Sequence, residues 1–112
     1  MKPDDRIRIR HIVDAVNAAI RFTQGRRRED LEKDEILVFA LIHALQIVGE
    51  AASKVSSETR DTHPENPWGV VIGMRHRLVH AYFDVNLDIL WTTATSAAPA
   101  FLAQLAPLLK GS

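Results

Sequence analysis

The 112-residue chain contains no cysteine. That excludes a disulfide framework, a thiolate metal site and a cysteine nucleophile, and it suits a reducing compartment. Net charge is also absent, because 14 basic and 14 acidic residues cancel. A neutral total argues against coating nucleic acid through bulk electrostatics. It leaves room for a local basic patch, since phosphate contacts need only a few well-placed cations. The start, MKPDDRIRIR, lacks the apolar centre of a signal peptide. The longest apolar stretch, ILVFALIHALQIVG, is interrupted by His43 and Gln46 and falls short of the ~20 residues that span a bilayer. A soluble, cytoplasmic protein without membrane association is expected. No alternating strand-like run, internal repeat or disordered linker is visible.

What is present is helical. Apolar residues make up 46% and charged residues 25%, as in ordinary globular chains, and residues 1–112 are expected to form a single domain. Ile9, Ile12, Val13, Val16, Ile20 and Thr23 recur at three- and four-residue steps, with Asp4 or Asp5 after Pro3 as cap and Gly25 as terminator. GRRREDLEKDE then reads as a solvated connection whose acids neutralise its arginines. A second helix over about 34–58 is apolar nearly all round from Ile36 to Ile42, which points to a central element or an oligomer interface. THPENPWG is a loop, from which Trp68 anchors a third helix over about 68–83. A fourth carries Leu87, Leu90, Trp91, Ala94, Ala98, Phe101, Leu102, Leu105 and Leu109, with Pro99 and Pro107 as sites of kinking. The expected fold is an all-α four-helix bundle with short connections.

The densest chemistry lies in GMRHRLVHAYFDVN, where Arg75, His76, Arg77, His80 and Tyr82 fall within eight positions. On a straight helix Arg75 and His80 stand roughly 140° and 7.5 Å apart. One helix does not aim both at a single atom; two copies of it, or a bend near its C-terminal end, can. Three readings compete. The first is a polar helix end whose cations face carbonyls. The second is a metal held by His76 and His80, weak because no glutamate of an HExxH pattern and no third ligand accompanies them. His11, His43 and His63 are scattered and read as surface or satisfied core residues. The third is metal-free phosphodiester cleavage, with histidine exchanging protons near neutral pH, arginine gripping phosphate oxygens, and tyrosine stacking or donating.

The pattern Arg75-x4-His80-x-Tyr82 resembles the signature of HEPN-domain proteins, specifically the HepT-like toxins of type VII toxin–antitoxin pairs. HIVDAVNAAI with Asp14, LQIVGEAASKVS with its Val48-Gly49-Glu50-Ala51 segment, and the proline–tryptophan loop running on to Trp91 are similar to that family in order and spacing. One departure is His76, where asparagine is common. The resemblance implies a dimeric HEPN-type four-helix bundle, with room for a short fifth helix, in which two signature helices face each other across a cleft. It also implies a metal-independent endoribonuclease without cofactor, acting on RNA. An antitoxin of nucleotidyltransferase fold would restrain it by transferring AMP to Tyr82. In that scheme His80 is the general acid/base and Arg75 holds the scissile phosphate, with His76 and Tyr82 in support. Glu50 reads equally well as a solvated glutamate or as a partner of Arg75. The alternative is a non-catalytic HEPN module that binds nucleotide or a nucleotidyltransferase.

Overall fold

The computed structural model describes residues 1–81 and 84–110, with the backbone alone for 74–81 and 84. In chain order it comprises α1 (Pro3–Thr23), a 3-10 turn (Arg28–Glu32), α2 (Glu35–Lys54), α3 (Ser57–Thr62) and α4 (Trp68–Leu78). The strands β1 (Val79–Ala81) and β2 (Asp84–Val85) follow, then α5 (Leu87–Thr92), a π-helical turn (Thr93–Ala97) and α6 (Ala98–Lys110). The last three segments run as one rod, so α1, α2, α4 and this rod make the expected all-α four-helix bundle, and α3 is the short extra helix.

α1 packs along α2 on one side and α6 on another, while α4 lies against α2. The periodic stripes supply the core. Ile9, Ile12 and Val16 from α1, Leu41 and Leu45 from α2, and Leu90 and Leu105 from the terminal rod are fully buried. Burying side chains of this size stabilises by about 1.5–3 kcal/mol each.

Helix ends differ from the sequence reading in two places. α1 starts at Pro3 without a side-chain cap, and Gly25, at φ 69°, closes the turn beyond its end. Asp5 does not cap α1. It is buried, and its carboxylate accepts from Ser56 N–H, Ser56 Oγ and Thr59 Oγ1 at the start of α3. Burial alone would raise this carboxyl, but those hydrogen bonds outweigh it, with help from Lys2, and hold it below the usual range. Correspondingly α2 stops at Lys54 rather than near residue 58, because Val55 turns extended and Ser56 opens α3 as its N-cap. By length and composition α2 is long and apolar enough to cross a membrane, against the sequence expectation; half of its most apolar stretch is buried in the bundle.

The arginine-rich connection is held partly by its own acids, as expected, and partly by Asp88 of α5. Arg26 reaches Asp34 at 2.7 Å and Asp30 at 3.4 Å, and Arg28 reaches Asp88 at 2.7 Å. Asp34 is held below the ordinary carboxylate range chiefly by Arg26, and Asp30 chiefly by the backbone N–H of Arg27. In the terminal rod the π-helical turn ends two residues before Pro99, whose ring clashes with the carbonyl four residues back in a regular helix. The wider turn accommodates it and keeps Leu90, Ala94 and Ala98 buried. Pro107 sits within α6.

Candidate functional site

The third helix ends at Leu78, five residues before the sequence suggested, and the chain turns into β1. Val79 pairs with Val85 and Ala81 with Asp84 in a short antiparallel ladder that interrupts the otherwise all-α bundle. Gly69 and Gly73 weaken the helix, whereas β-branched Val79 and Val85 favour extended pairing. Arg75, His76 and Arg77 therefore stand in the last turns of α4, and His80 stands at the centre of β1. His76 and His80 are not one turn apart on a common helix, and the straight-helix separation of Arg75 from His80 no longer applies. The side chains of all four, and Tyr82 entirely, lie outside the described residues.

The frame that carries this segment is well defined at its start. Trp68 is buried, its ring meets Phe101 of α6 edge-to-face at 5.6 Å and 88°, and its Nε1 donates to the His63 carbonyl at 3.0 Å. Asn66 N–H donates to that same carbonyl, and Trp68 N–H donates to the Asn66 carbonyl. The loop HPENPW is thereby wound on itself, and α4 leaves it pinned to the core through Trp68. This matches the anchoring role expected of that residue.

On α2, Glu50 is exposed and accepts from Lys54 Nζ at 3.2 Å. Together with Arg8 and His11 of α1, this pair lines a shallow groove of about 210 Å³. Asp14 is exposed on α1. His11 and His43 are exposed on different helices, and His63 ends α3 with Nδ1 at 3.5 Å from Glu65. These three do not assemble.

Sequence reasoning passed over one cavity, of about 600 Å³, between α3 and the start of α4. Its lining includes Arg60, Asp61, Asn66 and Gly69. HPENPW read simply as a proline-bounded loop, and nothing in its residue types signals that Asn66 is buried.

Comparison with known proteins places the fold in a lineage. The model of the family described as "HepT-like: Ribonuclease HepT-like" matches residues 12–108, a span that contains Arg75, His76, His80 and Tyr82. A protein of Thermococcus cleftensis named "Probable ribonuclease HepT" is 34% identical over 110 residues, covering 98% of this chain and 100% of its own. One of Caldanaerobacter subterraneus subsp. tengcongensis, named "Putative RNase TTE0752", is 34% identical over 102 residues, 91% of each chain. No solved structure matches. With the bundle, the wound proline–tryptophan loop and the family match in agreement, the chain belongs to the HepT-like ribonuclease family.

Proposed function

We propose that this chain is the toxin of a toxin–antitoxin pair, a metal-independent endoribonuclease built on Arg75, His80, His76 and Tyr82. The observation that carries the reading is that the family match runs through the segment where Arg75-x4-His80-x-Tyr82 stands intact. A binding module has no chemical need to keep that pair of residue types at that spacing.

In the proposed reaction the 2′-oxygen of the RNA attacks the adjacent phosphorus as the bond to the 5′-oxygen breaks. His80 takes or supplies the protons at these two oxygens, a task suited to a group that titrates near neutrality. Arg75 holds the non-bridging oxygens as their charge grows, and its planar fork keeps its own charge throughout. His76 orients groups in the site, and Tyr82 positions substrate. A nucleotidyltransferase antitoxin silences the site by placing AMP on Tyr82, which adds charge and bulk where RNA must enter.

The working unit in this reading is a homodimer of single-domain chains in the cytoplasm. Support for a second copy comes from α2, where Ile36 is 81% and Phe39 61% exposed, three residues apart on its outer side. Large apolar side chains clustered this way mark surfaces that another molecule covers.

Incubating the purified protein with RNA in EDTA tests the proposal. Cleavage is expected to continue in the chelator; binding without cleavage would favour a non-catalytic module instead.

A further inference from the structure

We propose that the cavity between α3 and the start of α4 is a nucleotide subsite for the RNA chain. Arg60 holds a phosphate there, and Asn66 reads the ribose or base edge. The inference rests on the ribonuclease reading for its choice of ligand, but its geometry stands apart from the Arg75–His80 segment.

Two unsatisfied polar side chains border this one cavity. Asn66 is only 4% exposed, yet neither its amide nitrogen nor its amide oxygen has a hydrogen-bond partner within the protein. The Nε of Arg60 is likewise enclosed and without one. Buried polar atoms in folded proteins are paired with protein groups or ordered water in the great majority of cases, so two exceptions at one cavity, Arg60 on α3 and Asn66 on the loop after it, call for a cause. Folding alone does not supply it, because an apolar side chain at position 66 would cost the bundle less. Both groups are enclosed in the free chain and must turn toward the cavity to meet a ligand. Having no partner, they break no hydrogen bond in turning.

The surroundings narrow the ligand. Arg60 brings a guanidinium, and the first turn of the 11-residue α4 brings the positive end of its dipole. Gly69 lies in that turn with open space where a Cβ would stand, so a phosphate oxygen can come close to the backbone. Asp61 is exposed at the rim. Its carboxylate repels a bare phosphate on that side and accepts from hydroxyls, which favours a ribose-bearing phosphate. The amide of Asn66 offers one donor and one acceptor side by side, the pair that a base edge presents in return. At about 600 Å³ this depression, which is open to solvent, has room for a nucleotide unit that continues into a strand.

Its position suits a substrate that continues past the cut. Positions 69 and 76 are two turns apart on the same side of α4, about 10 Å along the axis. Arg75 itself stands about 9 Å along the axis from Gly69 and about 120° around the helix, so the strand passes partway round α4 between the two groups.

The test uses a short single-stranded RNA and two measurements. RNA affinity is read by fluorescence anisotropy in the His80→Ala chain, with and without Arg60→Ala or Asn66→Leu. Cut sites and kcat/KM are read in the otherwise unaltered chain. Either substitution is expected to weaken RNA binding at least tenfold and to change the cut-site pattern. Asn66→Leu should leave Tm unchanged or higher, whereas a purely structural amide would lower it. Arg60→Lys should recover part of the affinity by restoring charge. Affinities and cut sites within twofold of the parent for both substitutions would overturn the subsite. Tighter binding of AMP than of the oligonucleotide would overturn its assignment to RNA. If the unaltered chain cuts nothing, the ribonuclease reading fails, and the anisotropy arm still decides the cavity.

Discussion

Asp5 in the first turn of α1 holds Ser56 at the opening of α3, 51 residues away, accepting its N–H at 2.8 Å and its hydroxyl at 2.5 Å. Thr59 Oγ1 adds a third hydrogen bond at 2.6 Å. One buried carboxylate thus ties the N-terminus to the α2–α3 junction. Asp5→Ala strands these donors and should cost about 2–4 kcal/mol by denaturant unfolding. Asp5→Asn keeps the shape and should cost less.

The same carboxylate sets a pH dependence. Its pKa is depressed in the folded chain, so its contribution is fully present above the unfolded value, close to the ordinary 3.8. That contribution is lost as pH falls through the lower folded value. Stability measured from pH 6 downward should decline less steeply in Asp5→Asn than in the parent; parallel curves would show that other carboxylates dominate.

Trp68 makes a separable prediction. Trp68→Phe keeps an aromatic edge toward Phe101 but removes the donor to the His63 carbonyl, and should cost about 1–2 kcal/mol. Trp68→Ala opens a cavity at the root of α4 and should cost about 3–5 kcal/mol. Because α4 carries Arg75, RNA cleavage should fall more with Trp68→Ala than the loss of folded protein explains. Circular dichroism and activity on the same samples separate the two effects.

The exposed face of α2 predicts an oligomeric state. Light scattering should give twice the 12.6 kDa chain mass for the parent and the single-chain mass for Phe39→Glu or Ile36→Glu, since a charge in an apolar interface is left unpaired. Unchanged mass in both variants would move the interface elsewhere.

The sequence carried the parts of the fold that local periodicity encodes. Ile9, Ile12 and Val16 in α1, and Leu90, Ala94, Ala98, Phe101 and Leu105 in the terminal rod, are all buried as their spacing implied. It did not carry what depends on distant partners. Asp5 looked like a cap for its own helix because capping is usually local, and its true partners are supplied by tertiary folding. The split of α2 from α3 at Val55 follows from that same contact. The β1–β2 ladder is too short to announce itself by alternation, so local periodicity places His80 on a helix. Within the candidate site, the residue types and the family were legible from Arg75, His80 and Tyr82. The unpartnered amide of Asn66 was not, because burial of a loop asparagine depends on how Trp68 draws the loop onto the core.

The antitoxin part of the account makes a mass prediction. Co-expression with a nucleotidyltransferase partner should add adenylate to the intact chain, and Tyr82→Phe should abolish the addition. Modification of Tyr82→Phe at an unchanged level would place the AMP on another side chain.

The central claim rests on Arg75 and His80, and single-turnover cleavage of RNA by the parent, Arg75→Ala and His80→Ala chains tests it most directly. Proton transfer by a positioned side chain contributes about 10²–10⁴-fold, so His80→Ala should lose at least 100-fold in rate, and Arg75→Ala a comparable factor, with helical content and light-scattering mass unchanged. Equal rates in all three chains, from preparations free of other nucleases, would contradict the account.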